Sequence, residues 1–166
     1  MKKLILVLLV VFSTMTLAVE SHLRFGGITN AQSYHGEDGY STFAPAMGLE
    51  VTQSLLFFDI GAGIQHNAKV DGTDVATTPV YGLVKWNIIP VGVKPYLVAK
   101  LGRSIYSTDS VAGSDPEGKD FYGVGAGISV SALEVELFYS VTKLDDSGRR
   151  SNDMKQVSLM AGYRIF

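Results

Sequence analysis

The sequence has no cysteine, one tryptophan and five prolines among 166 residues. Without cysteine there is no disulfide and no thiolate ligand, so disulfide-stapled secreted domains and zinc–cysteine modules are excluded. Charge is also scarce: Asp, Glu, Lys and Arg make up 18%, below the ~25% usual in soluble domains. The formal net charge is −2, with no basic excess to attract nucleic acid. Long apolar runs are missing as well. Past the N-terminus nothing approaches the ~18 residues of a membrane-spanning helix, although 46% of the residues are hydrophobic. Glycine, by contrast, is plentiful at 18 residues. The length suits one domain.

The first eighteen residues read as an export signal. Lys2 and Lys3 form a basic start, Leu4 to Phe12 is an unbroken apolar run, and Ser13 to Ala18 is a small-residue end. Thr16 and Ala18 stand at the −3 and −1 positions of a cleavage site. No cysteine follows the apolar run, so lipoprotein processing does not apply. The expected domains are a signal peptide at 1–18 and a mature chain at 19–166.

From Val19 onward the recurring period is two, the period of a β-strand with two unlike faces. It appears eight times: in His22–Gly27, Phe43–Thr52, Phe58–Gln65, Val80–Ile88, Leu97–Gly102, Tyr122–Ser129, Leu133–Thr142 and Gln156–Ile165. Three connections are short, around Gln53–Ser54, Pro90–Gly92 and Ser131–Ala132. Four are long: Asn30–Thr42, Asn67–Thr78, Ser107–Asp120 and Leu144–Asp153. Short and long alternate strictly, as an up-and-down membrane barrel requires, with tight turns on the periplasmic side and long loops outside. A soluble barrel also alternates, but its second face meets bulk water. Here that second face is mostly Gly, Ala, Ser and Thr with sparse charges, while most of the sixteen acids lie in the long connections. The fold expected is therefore all-β: an eight-stranded antiparallel transmembrane barrel with short periplasmic turns and four longer external loops.

Three segments carry a family resemblance: Pro95-Tyr96-Leu97-Val98-Ala99-Lys100-Leu101-Gly102, Tyr122-Gly123-Val124-Gly125-Ala126-Gly127, and Gly162-Tyr163-Arg164-Ile165-Phe166. From Leu23 to Phe166 the chain resembles the small eight-stranded outer-membrane barrels, the group of the OmpA membrane domain, OmpX and the opacity proteins. The resemblance implies a Gram-negative outer-membrane location and a terminal insertion signal at Tyr163 and Phe166. The implied partners are the barrel-insertion machinery, outer-membrane lipid and lipopolysaccharide.

The inward parity carries Arg24, Glu50, Asp59, Lys85, Lys100, Glu134, Glu136 and Arg164. An eight-stranded bore is just filled by side chains, and buried charges persist only when paired. These residues are expected to form a salt-bridged interior network, with Asp59 meeting Lys85 and Arg24 near Glu50. Glu134 and Arg164 are adjacent near the periplasmic rim. Inward glycines (Gly61, Gly63, Gly123, Gly125, Gly127) are expected to make room for the long Arg and Lys side chains. A gated ion path through a wet interior is the alternative. Tyr163, Phe166 and Trp86 fall near the periplasmic interface, and Tyr40, Phe43, Tyr106, Phe121 and Tyr122 near the external one, as two aromatic girdles. Pro45 removes a ladder donor from a strand that should be paired on both sides.

Catalysis finds little support. Lipid A deacylase barrels of this architecture carry a His-x-Ser pattern, and His22, His35 and His66 all lack it. Asp71, Asp74 and His66 faintly echo the rim residues of protease barrels. Asp71-Gly72-Thr73-Asp74 lacks the further ligands of a calcium loop. No catalytic, metal or cofactor residue is assigned. The expected protein is a monomeric, non-enzymatic barrel that is structural or makes surface contacts through acidic loops; a small porin-like channel comes second and a lipid-modifying enzyme third. Mass spectrometry of fractionated envelopes should recover the chain in the outer membrane without its first eighteen residues. Recovery of that mass in the soluble periplasm would refute the assignment.

Overall fold

A computed structural model describes residues 19–30, 43–55, 57–70, 75–89, 92–108, 119–143 and 153–166. Eight strands run in chain order: β1 (Val19–Asn30), β2 (Ala44–Leu55), β3 (Phe58–Asn67), β4 (Val75–Asn87), β5 (Val93–Thr108), β6 (Lys119–Val130), β7 (Leu133–Thr142) and β8 (Met154–Arg164). Each pairs antiparallel with its neighbours, and β1 pairs with β8 to close the barrel. Closure leaves no open sheet edge, which is how a β-structure satisfies its backbone in lipid. Val19 lies opposite Gln53 and Arg164 opposite His22, so both ends of the barrel segment lie at the short-turn end.

The strands extend beyond the alternation visible in sequence. β5 continues to Thr108 because Ser104 to Thr108 pair with Val75 to Pro79, a mixed-polarity stretch with no clear apolar face. The first short turn is displaced. Gln53 and Ser54 pair with Ile60 and Asp59 inside the ladder, so β2 ends at Leu55 and Phe57 lies in the turn. Two polar residues had the composition of a turn, yet the true turn is apolar. Most of the four long connections, with His35, Tyr40, Asp71 and Asp74, lies outside the described residues, as do residues 1–18.

The two faces divide by parity. Leu133, Val135, Leu137 and Tyr139 of β7 are exposed, while Glu134, Glu136, Phe138 and Ser140 are buried. The hydrophobic set thus points outward, the reverse of a soluble barrel. The bore holds more than small residues and charges. Tyr81, Leu83, Tyr96, Val98, Phe121 and Phe138 form one buried cluster; Ile28, Ala44, Ala46, Val70 and Met160 form another. Phe121 is therefore not a girdle residue. It is 3% exposed, with its ring centroid 5.6 Å from Tyr81 and 6.3 Å from Phe138. Phe43, Trp86, Tyr122, Tyr163 and Phe166 are exposed; the side chain of Tyr106 lies outside the described residues.

Glycine makes the aromatic packing possible. A side chain at Gly125 would come within 2.8 Å of Phe138 Cδ2, and one at Gly127 would collide with the Tyr96 ring. These glycines make room for rings, rather than for the Arg and Lys side chains expected there. Pro45 is exposed near the outer end of β2 and still serves the ladder, its carbonyl accepting from Ala68 N at 3.0 Å.

If the outward set faces lipid, Leu137→Arg at mid-belt should lower stability by about 2–4 kcal/mol in urea unfolding from lipid vesicles. An unchanged midpoint would mean that this face does not meet hydrocarbon.

Candidate functional site: the charged interior

β1, β2, β4, β5 and β7 each direct charged side chains into the bore by the same inward parity. Arg24 reaches three carboxylates: Nη1 lies 2.6 Å from Glu50 Oε1, Nη2 3.0 Å from Glu136 Oε1, and Nε 3.4 Å from Glu134 Oε1. Lys85 Nζ lies 3.0 Å from Glu134 Oε2 and 3.3 Å from Glu50 Oε2. Lys100 Nζ lies 2.7 Å from Glu50 Oε1 and 2.8 Å from Glu136 Oε1. Three cations and three anions therefore form one closed, formally neutral cluster.

Aromatic groups complete its shell. Tyr81 and Tyr96 donate their hydroxyls to Glu50 Oε1 at 2.8 Å and Glu136 Oε2 at 3.1 Å. Lys100 Nζ lies 4.9 Å from the Tyr81 ring centroid and 4.7 Å from that of Phe138; Lys85 Nζ lies 5.1 Å from that of Tyr96. Such ring faces attract cations most strongly when water is absent. The cluster is shielded from solvent: Arg24, Glu50 and Glu136 are 0% exposed. Burying an isolated charge is prohibitive, so mutual neutralisation is the condition for these groups to be inside at all.

Two of the eight predicted interior residues stand apart from the cluster. Asp59 faces Lys85 in the strand register, but the expected pair does not form. Lys85 extends across the bore to Glu50 and Glu134, while Asp59 Oδ2 accepts from Asn87 Nδ2 at 2.9 Å. A long flexible cation reaches the greater concentration of negative charge, whereas a short carboxylate stays at the rim. Arg164, with its side chain 34% exposed, pairs with Glu20 at 2.7 Å. Its adjacent Glu134 is engaged instead by Arg24 and Lys85. Tyr163 and Phe166 are exposed. The chain end is stitched to β1, with Ile165 N donating to Ser21 O at 2.8 Å.

Sequence reasoning missed Tyr81, Tyr96, Phe138 and His22 as members of the interior. Their parity marked them as inward, but their partners come from distant strands. His22 is buried, with Nε2 3.3 Å from Thr52 Oγ1 and 3.5 Å from Glu20 Oε2, and Nδ1 3.9 Å from Glu134 Oε2. His66 is exposed, and its Nδ1 lies 3.0 Å from Thr78 Oγ1. Among the described residues, no group of three or more His, Asp or Glu side chains is arranged to hold a metal ion.

Removing one member of the cluster leaves its partners buried and unbalanced. Glu50→Gln and Lys100→Met should each destabilise by about 3–5 kcal/mol in vesicle unfolding, with the double variant losing less than the sum. Asp59→Asn should lose under about 1 kcal/mol. Equal losses at Asp59 and Glu50 would contradict the geometry.

No protein-family model and no curated protein matches the sequence. Solved structures do match. Neisserial surface protein A (NspA) superposes with a TM-score of 0.66 at 18% identity, over 88% of this chain and 95% of that one. The Yersinia pestis outer membrane protein Ail, in a phospholipid bilayer nanodisc, gives 0.55 at 21% identity, over 88% and 99%. The outer membrane enzyme PagL gives 0.56 at 14% identity, over 88% and 99%. At these identities the likeness is one of fold, and it spans nearly the whole length of each neighbour. The closed antiparallel barrel with its apolar outer face is thus the fold of the small eight-stranded outer-membrane β-barrels.

Proposed function

We propose that this protein is a closed, monomeric barrel of a Gram-negative outer membrane, exported by a cleaved signal peptide, with a structural or surface-contact role. The observation that carries this reading is the inaccessible centre of the bore. Arg24, Glu50 and Glu136 are 0% exposed, and the Tyr81–Phe121–Phe138 rings pack beside them. A conducting path needs charges that water can screen, and these are held by one another instead.

The fold does not decide between enzyme and non-enzyme, since PagL is called an enzyme and NspA a surface protein. Among the described residues, the two histidines favour the non-catalytic reading. His22 is walled into the interior beside Glu20, Thr52 and Glu134. His66 has a threonine, Thr78, as its hydrogen-bonding neighbour. Function then falls to the acidic external connections, which would meet an external ligand, and to the outward face, which would meet lipid and lipopolysaccharide. Tyr163 and Phe166 serve as the signal for the barrel-insertion machinery.

Purified, refolded protein in planar lipid bilayers should give no steady conductance. A reproducible wild-type current whose ion preference changes in Lys100→Met would overturn the closed reading and establish a channel.

A further inference from the structure

The external end of the bore is held by apolar contact rather than by charge. β3 keeps its pairing past Asn67: Ala68 N donates to Pro45 O at 3.0 Å, so the chain still runs along the end of β2. Lys69 is then exposed, and Val70 is 3% exposed. Val70 packs in one cluster with Ile28, Ala44, Ala46 and Met160. Those four share the inward parity of Arg24, Glu50 and Ser158 on β1, β2 and β8. A side chain just past the outer end of β3 is thus turned back into the bore and seated against three other strands.

The rest of this outer half is lined by polar but uncharged groups. Gln65 Nε2 donates to Asn67 Oδ1 at 2.7 Å, Asn67 Nδ2 to Thr77 Oγ1 at 3.0 Å, and Gln156 Nε2 to Asn30 Oδ1 at 3.2 Å. Among the described side chains, no inward Asp, Glu, Lys, Arg or His stands between the six-charge cluster and the external end. Two buried atoms here lack a hydrogen-bond partner: Gln156 Oε1 and Ser104 Oγ, whose residues are 3% and 0% exposed. Buried polar atoms are nearly always satisfied, and an amide oxygen calls for a donor such as a hydroxyl or an amide N–H. A charged group would find no counter-charge at this level. The two closures also differ in what opening them entails. Withdrawing a member of the cluster strands a buried charge, whereas withdrawing the Val70 side chain strands none. The outer end can therefore open while the centre stays shut.

We propose that Val70 is a lid on the external mouth, and that the outer half of the bore takes a small uncharged group bearing hydroxyl or amide donors when the lid lifts. The charge cluster keeps the far side closed. The inference rests on the closed reading above, whose own failure would appear as current in the unmodified protein. Because the sequence has no cysteine, single thiols report access in refolded protein in detergent micelles, where both ends of the barrel meet solvent. Ser158→Cys is the reporter, since Ser158 is buried and lies opposite Ile28, a member of the Val70 cluster. Its labelling by the neutral 2-hydroxyethyl methanethiosulfonate should be slow, and should rise roughly tenfold when Val70→Gly frees the mouth. The anionic 2-sulfonatoethyl reagent, scaled to its rate with free cysteine, should gain far less. Thr52→Cys, on the other side of the cluster, should label equally with and without Val70→Gly, and Val70→Gly should carry no current in planar bilayers. An unchanged rate at Ser158→Cys, equal gains for the two reagents, a matching rise at Thr52→Cys or a current in Val70→Gly would each overturn the inference. A second comparison does not depend on Val70→Gly folding. Val70→Cys should label severalfold more slowly than its neighbour Lys69→Cys, and equal rates would show that position 70 is not seated in the bore and would overturn the lid.

Discussion

Eight strands closed on themselves leave a bore that side chains just fill, and charge buried among them must be cancelled by charge. That constraint organises the interior. Glu50 is held among Arg24, Lys85 and Lys100, Glu134 between Arg24 and Lys85, and Glu136 between Arg24 and Lys100. No member can leave without stranding another, and members come from five strands. The same narrowness explains the aromatic shell. Rings fill volume that water would otherwise occupy, offer hydroxyls to the remaining carboxylate oxygens, and present their faces to the ammonium groups.

The outer surface answers to the opposite requirement. Exposed Leu, Val and Ile on every strand would be a liability in water and are a condition of solubility in hydrocarbon. Polar backbone is absorbed by the closed ladder, including the β1–β8 seam. Glycines on inward positions let β6 lie close to the Phe138 and Tyr96 rings. Packing in this barrel is thus most demanding toward the inside and most permissive toward the outside.

Architecture was legible because alternation and connection length are local signals. Leu133–Thr142 can be read residue by residue from its pattern, and β7 has those bounds. Inward parity identified Arg24, Glu50, Lys85, Lys100, Glu134 and Glu136, all buried. Their partners were not legible. Lys85 and Asp59 are register neighbours, yet the outcome depends on how far a lysine reaches across the bore and on the field of two carboxylates carried by β2 and β7. Phe121 looked like a girdle aromatic because aromatic identity says nothing about parity at a strand end. The first turn was misplaced because Gln53 and Ser54 resemble turn residues, while the real turn is hydrophobic.

The shared cluster also shapes how this chain can diverge over generations. Glu50 answers to cations on β1, β4 and β5, so a neutral replacement there becomes tolerable only alongside a change far away in the gene. Interior positions are expected to drift as coordinated sets, and intermediates with one change are the ones selection removes. The outward positions have no such obligations and can exchange one aliphatic residue for another independently. Two descendants of this barrel could then differ at most surface positions and still keep the same six interior charges.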